Sequence, residues 1–203
     1  MPGRLSIMSP LEELAAACGA PVPEEAGTWQ PSDDAAPGEA LPVLVRDRAD
    51  LHLSEMRWGI IPVGRVNARG RPVMETVINA RAESVFDKSA FDGVRRAVVP
   101  VNGWFEWTGK VRRKVRWRIG APDRPVMFFA AIYDVWTAPG GREVPQVATL
   151  TVAPNGDVEA YHHRMPVILD RPEPWLDGDE AAARALLRSA PDGLLSVVED
   201  PRR

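Results

Sequence analysis

The 203-residue sequence predicts an α+β domain, mainly antiparallel sheet in a barrel-like core with flanking helices. Three observations carry the prediction. Seven stretches rich in β-branched and aromatic residues lie between residues 41 and 170, each closed by turn formers. Helical patterning is confined to short segments at residues 10–18, 82–91 and 179–190. Strands and helices therefore do not alternate as a parallel βαβ sheet requires. One domain over residues 1–203 is expected from the length.

Taken in order, Ser9-Pro10-Leu11-Glu12 has the form of a capping box with proline at the first helical position. Leu11, Leu14, Ala15 and Cys18 then share one face, and Gly19 ends the helix. That placement makes Cys18 a small core residue rather than a nucleophile. Residues 20–40, rich in proline, alanine and acids, read as a surface loop. The predicted strands follow at 41–47, 51–61, 95–107, 110–119, 125–136, 145–153 and 165–170. A hairpin turning at Thr108-Gly109-Lys110 would set Val111, Arg113, Val115, Trp117 and Ile119 on one face. Arg112, Lys114, Arg116 and Arg118 would line the other face, either as a rail for phosphates or as a guarded edge strand.

The net charge of −3 conceals a segregation. Residues 1–50 carry −6, residues 51–120 carry +8, and residues 121–203 carry −5. A basic middle suits a polyanion, although charge placed for solubility gives the same count. No apolar run is long enough to cross a bilayer, and no signal pattern opens the chain, so a cytoplasmic protein without membrane contact is expected. A single cysteine excludes an internal disulfide. Metal binding is not expected, because adjacent His162 and His163 would point to opposite faces of a strand. No glycine-rich phosphate loop is present, and no cofactor is expected.

Three stretches put polar residues where a β core should be apolar: "INARAES", "NGWFEW" and "YHHRMPVIL". Asn79 could cap or turn the chain. Glu106, set among Trp104, Phe105 and Trp107, needs a partner such as Arg81, or a proton. Trp58 in "RWG" could be a core aromatic or a stacking surface.

Read together, "RWGIIP", "INARAES", "RRAVVPVNGWFEW" and "YHHRMPVIL", behind an N-terminal Gly3-Arg4 and a capped helix, resemble the SOS response-associated peptidase family. Its members are also described as abasic-site processing or shielding proteins. The resemblance spans roughly residues 1–198 and implies a cationic groove for single-stranded DNA; a monomer is expected. It implies that Met1 is removed and that residue 2 reacts with the aldehyde of an abasic site. Asn79 would hold the terminal amine, and Glu106 and His162 would move protons. Arg81 would bind phosphate, and Arg4 and Arg164 would face the DNA backbone.

Position 2 departs from the family pattern, with Pro2 where the family has cysteine. A thiazolidine cannot form, but the secondary amine remains. An ordinary terminal amine titrates near about pH 8, so a sizeable neutral fraction exists at physiological pH. Attack on the aldehyde would give an iminium, which acidifies the adjacent sugar C–H and opens a route to β-elimination. A second departure falls after "RWGIIP", where Val63-Gly64-Arg65 replaces a further family tryptophan. The expected function is thus reaction with abasic DNA through Pro2, with lyase activity. Two rivals stand beside it: a disabled DNA-binding member, and a cysteine-independent autopeptidase.

Overall fold

The computed structural model describes residues 2–23, 29–48, 50–62, 75–110, 113–138 and 140–201. The elements in chain order are β1 (Arg4–Ile7), α1 (Leu11–Cys18), β2 (Ser32–Ala35), β3 (Ala40–Asp47), β4 (Asp50–Trp58) and β5 (Asn79–Arg81). β6 (Arg95–Val101), β7 (Gly103–Thr108), β8 (Val115–Gly120), β9 (Met127–Thr137) and β10 (Glu143–Val152) follow. The chain closes with β11 (Met165–Pro166), β12 (Ile168–Leu169), α2 (Glu173–Asp177), α3 (Glu180–Ala185) and β13 (Ser196–Asp200).

Strands β4, β3, β6, β9 and β10 pair in that order, and β10 returns to β4, which closes a ring. Pairing around the ring is antiparallel except at β10–β4, where Gln146 and Val147 run parallel to Arg57 and Trp58. On the two faces of these strands Leu44, Val98, Phe129, Ala130, Ile132 and Val147 are all at 0% exposure. The α+β prediction therefore holds. A second sheet, in the order β13-β8-β7-β1-β2, packs beside the ring.

The two sheets are joined where β6 runs into β7, at Asn102-Gly103 of the "NGWFEW" stretch. The Asn102 amide clamps the crossing. Its Oδ1 accepts from Met8 N–H at 2.5 Å and Ser9 N–H at 3.0 Å, while its Nδ2 donates to Ser9 Oγ and the Pro125 carbonyl. Gly103 has no room for a side chain, because a Cβ there would lie 2.7 Å from the Ile119 carbonyl oxygen.

This clamp corrects the expected helix start. Pro10 occupies the cap position of α1, and no side chain caps it; the Ser9 hydroxyl is the acceptor for Asn102 instead. The rest of α1 is as predicted, with Leu14, Ala15 and Cys18 buried and Gly19 in the left-handed conformation at φ 64°. Burial pushes the Cys18 thiol up to about 12, with Glu173 adding to the rise, so it is inert as a nucleophile at neutral pH. Residues 82–91 form two short 3₁₀ turns, Ala82–Ser84 and Ser89–Phe91, rather than one α-helix.

Residues 20–40 are not wholly a surface loop, since they supply β2. Its acids meet the basic face of β8. Arg118 pairs with Asp33 at 2.7 Å, Arg116 with Asp34 at 2.6 Å, and Arg4 with Asp34 at 3.0 Å. Two cations of the basic middle, Arg116 and Arg118, are thus paired with acids of the first fifty residues.

Candidate active site at the N-terminus

Strand β1 sets the chain terminus into the second sheet. Its register on β7 pairs Ser6 with Gly103, Leu5 with Trp104 and Arg4 with Phe105. One further step along this register puts Gly3 opposite Glu106, and Pro2, just beyond, is buried. The Pro2 carbonyl accepts a hydrogen bond from Asn79 Nδ2 at 2.8 Å.

The Asn79 amide is oriented from its other end. Asn79 on β5 lies directly opposite Thr149 on β10, and Thr149 Oγ1 donates to Asn79 Oδ1 at 2.5 Å. A hydroxyl donor on the oxygen leaves the amide nitrogen facing Pro2. Trp58 supports the same strand: its indole N–H donates to the Ile78 carbonyl at 3.0 Å. Trp58 is at 0% exposure, so it is a core residue that braces β5, not a stacking surface for bases.

Glu106 is 3% exposed on β7. Burial pushes its carboxyl above the ordinary range, and the chain's positive terminus, which hydrogen-bonds it, draws it partly back. Its compensating charge is therefore the terminus rather than Arg81, which lies exposed on β5.

His162 sits in a turn that starts at Asn155, not in a strand. Its backbone N–H donates to the Val158 carbonyl, and Asn155 anchors the turn through the Pro191 carbonyl. The rings of His162 and His163 stack with centroids 4.3 Å apart instead of pointing to opposite faces. The His162 imidazole is held below its ordinary value, first by burial and then by the positive terminus. His162 Nδ1 lies 3.0 Å from both the N–H and the carbonyl oxygen of Arg164, so the Arg164 backbone holds the ring in either tautomer. Among the described residues no group of side chains could hold a metal ion.

Pro2, Asn79, Glu106 and His162 are thus brought to one place, while several predicted DNA contacts are not. Strand alternation separates the faces of the second sheet. Glu106 is paired with Trp117 on one face; Arg116 lies over the Phe105 ring, 3.8 Å from its centroid, on the other. Arg4, opposite Phe105, shares that second face. Arg116 is also only 11% exposed and bound to Asp34 and Asp200, so its charge is not offered to a phosphate. The predicted cationic rail is corrected accordingly: Arg116 and Arg4 are held by acids on the face away from Glu106. Lys114 is exposed before β8, and Arg112 and Val63-Gly64-Arg65 lie outside the described residues.

Arg164 is corrected as well. Its guanidinium is 13% exposed, forks onto both Glu83 oxygens at 2.6 and 2.8 Å, and donates to the Thr151 carbonyl. It ties the His162 turn to β10 and does not face outward. Arg81 differs: with Asn79, Lys88, Phe91 and Pro62 it lines an open cleft of about 340 Å³. Thr149 and Asn102 are functional supports that pattern reading did not reveal, since each acts through a partner distant in sequence.

With this geometry in view, the comparisons with known proteins are direct. The model of the SOS response associated peptidase family matches residues 1–199. The chain belongs to this family. Among its relatives, the abasic site processing protein YoaM of Bacillus subtilis is 31% identical over 74% of this chain and 68% of its own length. The abasic site processing protein HMCES of Gallus gallus is 27% identical over 80% of this chain and 58% of its own. The fold recurs in a protein from Bacteroides thetaiotaomicron, with TM-score 0.82 at 22% identity over 97% of this chain and 91% of that one. A Bordetella bronchiseptica protein matches with TM-score 0.80 at 20% identity, over 98% of this chain and all of that one (100%).

Proposed function

We propose that this protein reacts with abasic sites in single-stranded DNA through the secondary amine of Pro2, exposed by removal of Met1. What supports the reading is the hold on the start of the chain: Asn79 binds the Pro2 carbonyl, the register of β1 on β7 runs toward Glu106, and both Glu106 and His162 feel the positive charge of the untrimmed terminus, one residue before the Pro2 nitrogen.

The chemistry follows from those environments. The neutral Pro2 nitrogen attacks C1′ of the ring-opened sugar, the nitrogen gives up its own proton and the carbonyl oxygen takes one up, which gives a carbinolamine. Glu106, kept protonated by burial more readily than an exposed carboxyl, donates the proton that lets water leave. The product is an iminium with a permanent positive charge on the proline nitrogen. That charge acidifies C2′–H. His162, whose imidazole is held below its ordinary value first by burial, accepts the C2′ proton, and the electron pair expels the 3′ phosphate. Water then hydrolyses the iminium and returns the amine. Arg81 and Lys88, in the cleft beside Asn79, are placed to hold the phosphates of the strand.

Borohydride trapping on an abasic single-stranded oligonucleotide tests the reading. Protein with a free Pro2, verified by intact mass, should form a reduced covalent adduct, and protein carrying an uncleaved N-terminal extension should not. Equal trapping by both forms would overturn the role of Pro2. Steeply salt-dependent DNA binding with no adduct would mark a binding module instead.

A further inference from the structure

Trp117 and Tyr161 have no role in the chemistry above, yet they border it. Trp117 is the cross-strand partner of Glu106, so both side chains project from the same face of the sheet. Tyr161 directly precedes His162 and meets Trp117 edge-on, with centroids 4.8 Å apart and ring planes inclined at 62°. The Trp117 indole N–H is satisfied within the protein by Thr108 Oγ1 at 2.8 Å, which leaves ring surface as what the residue can offer. Another edge-on pair among the described residues is closed off: Trp104 and Phe129, 5.5 Å apart, are both at 0% exposure. Trp117 and Tyr161 are only half-buried, and His163 beside them is exposed.

We infer that Trp117 and Tyr161 form a stacking platform for the nucleobase next to the abasic sugar. The inference rests on the reading that abasic single-stranded DNA is the substrate. An abasic nucleotide has no base to grip, so its position along the strand must be fixed by phosphates and by the neighbouring bases. Base–aromatic stacking does this without demanding a sequence, since every base has a π-face. Tyr161 couples the two functions, because a base seated on it rests on the turn that carries His162. A single strand can present such a face, whereas a paired base is already stacked on both sides.

The test couples a change in the protein to a change in the DNA. Wild-type protein and the variants Trp117→Leu and Tyr161→Leu are measured for affinity on an abasic oligonucleotide. The measurement is repeated on two oligonucleotides in which the base on the 5′ or the 3′ side is replaced by a tetrahydrofuran spacer. On the intact oligonucleotide each variant should bind roughly 5- to 150-fold more weakly, the range of one lost base–aromatic stack. On one of the two spacer oligonucleotides the wild-type protein should lose the same factor, and the variants should lose little more. Trp117→Tyr and Tyr161→Phe, which keep a ring, should recover most of the affinity. Losses that multiply independently on both spacer oligonucleotides would overturn the platform and leave a structural role. Wild-type protein that traps abasic DNA yet is indifferent to both spacers would also overturn the platform while sparing the Pro2 chemistry. Failure of wild-type protein both to bind and to trap would overturn the two together, and tighter binding to duplex than to single strands would overturn the platform alone.

Discussion

Asn79→Asp is the sharpest probe of how the terminus is held. The substitution is isosteric and keeps an oxygen for the Thr149 hydroxyl, now 2.5 Å from Asn79 Oδ1. It replaces the Nδ2 donor, 2.8 Å from the Pro2 carbonyl, with an acceptor facing an acceptor. The lost bond is worth about 1 kcal/mol, and the opposed oxygens add a similar penalty unless the terminus moves away. At about 1.4 kcal/mol per factor of ten, trapping should slow by roughly 10- to 100-fold. The new carboxylate also favours the protonated amine, so the rate should need a higher pH to reach its plateau. Single-turnover borohydride trapping across the neutral-to-alkaline range measures both effects, with thermal unfolding as the control for the fold. Wild-type rate together with an unshifted profile would refute the claim that this hydrogen bond positions the nucleophile.

Glu106→Gln should separate activity from stability. The raised carboxyl pKa means the folded state holds that proton more tightly than the unfolded chain, so stability falls as pH rises from about 4.5 through the folded value. The variant should lose trapping, gain roughly 0.5–2 kcal/mol at neutral pH, and show a flatter dependence of unfolding midpoint on pH; a destabilised variant at pH 7 would contradict the assignment. Gly103→Ala would drive a methyl to 2.7 Å from the Ile119 carbonyl and force β7 and β8 apart. Its expected cost is about 1–3 kcal/mol, read as a midpoint lowered by several degrees, and an unchanged midpoint would show that the crossing has slack.

The strands of the ring were legible because their side chains alternate or run apolar, as in β3 and β9, and α1 because its apolar spacing fits one helical face. β2 was hidden, since "PSDDA" has no strand propensity; it is held by pairing with β1 and by arginines of β8 more than 80 residues away in sequence. The Ser9 hydroxyl was misassigned for a similar reason, because its partner Asn102 stands 93 residues further on. The hairpin closes at Thr108 and Val115 rather than turning at Thr108-Gly109-Lys110, and alternation along β8 holds from Val115 onward, yet nothing local says which face meets the site. That choice is made by the pairing of Trp117 with Glu106. Motif residues Asn79, Glu106 and His162 stood out because polar groups in apolar surroundings demand partners. Arg164 stood out equally and serves the scaffold, since Glu83 reaches it first.

β1 lies inside its sheet, with β7 on one side and β2 on the other. Only two residues separate Arg4 from the nitrogen of Pro2, a leash of about 7 Å at the extended rise of a strand. A nucleophile on so short a leash cannot search for its target. The damaged strand has to be bent or threaded until its open sugar arrives at the proline. Any tag or fusion attached in front of residue 2 would occupy the proline nitrogen itself, which makes the far end of the chain the place for handles.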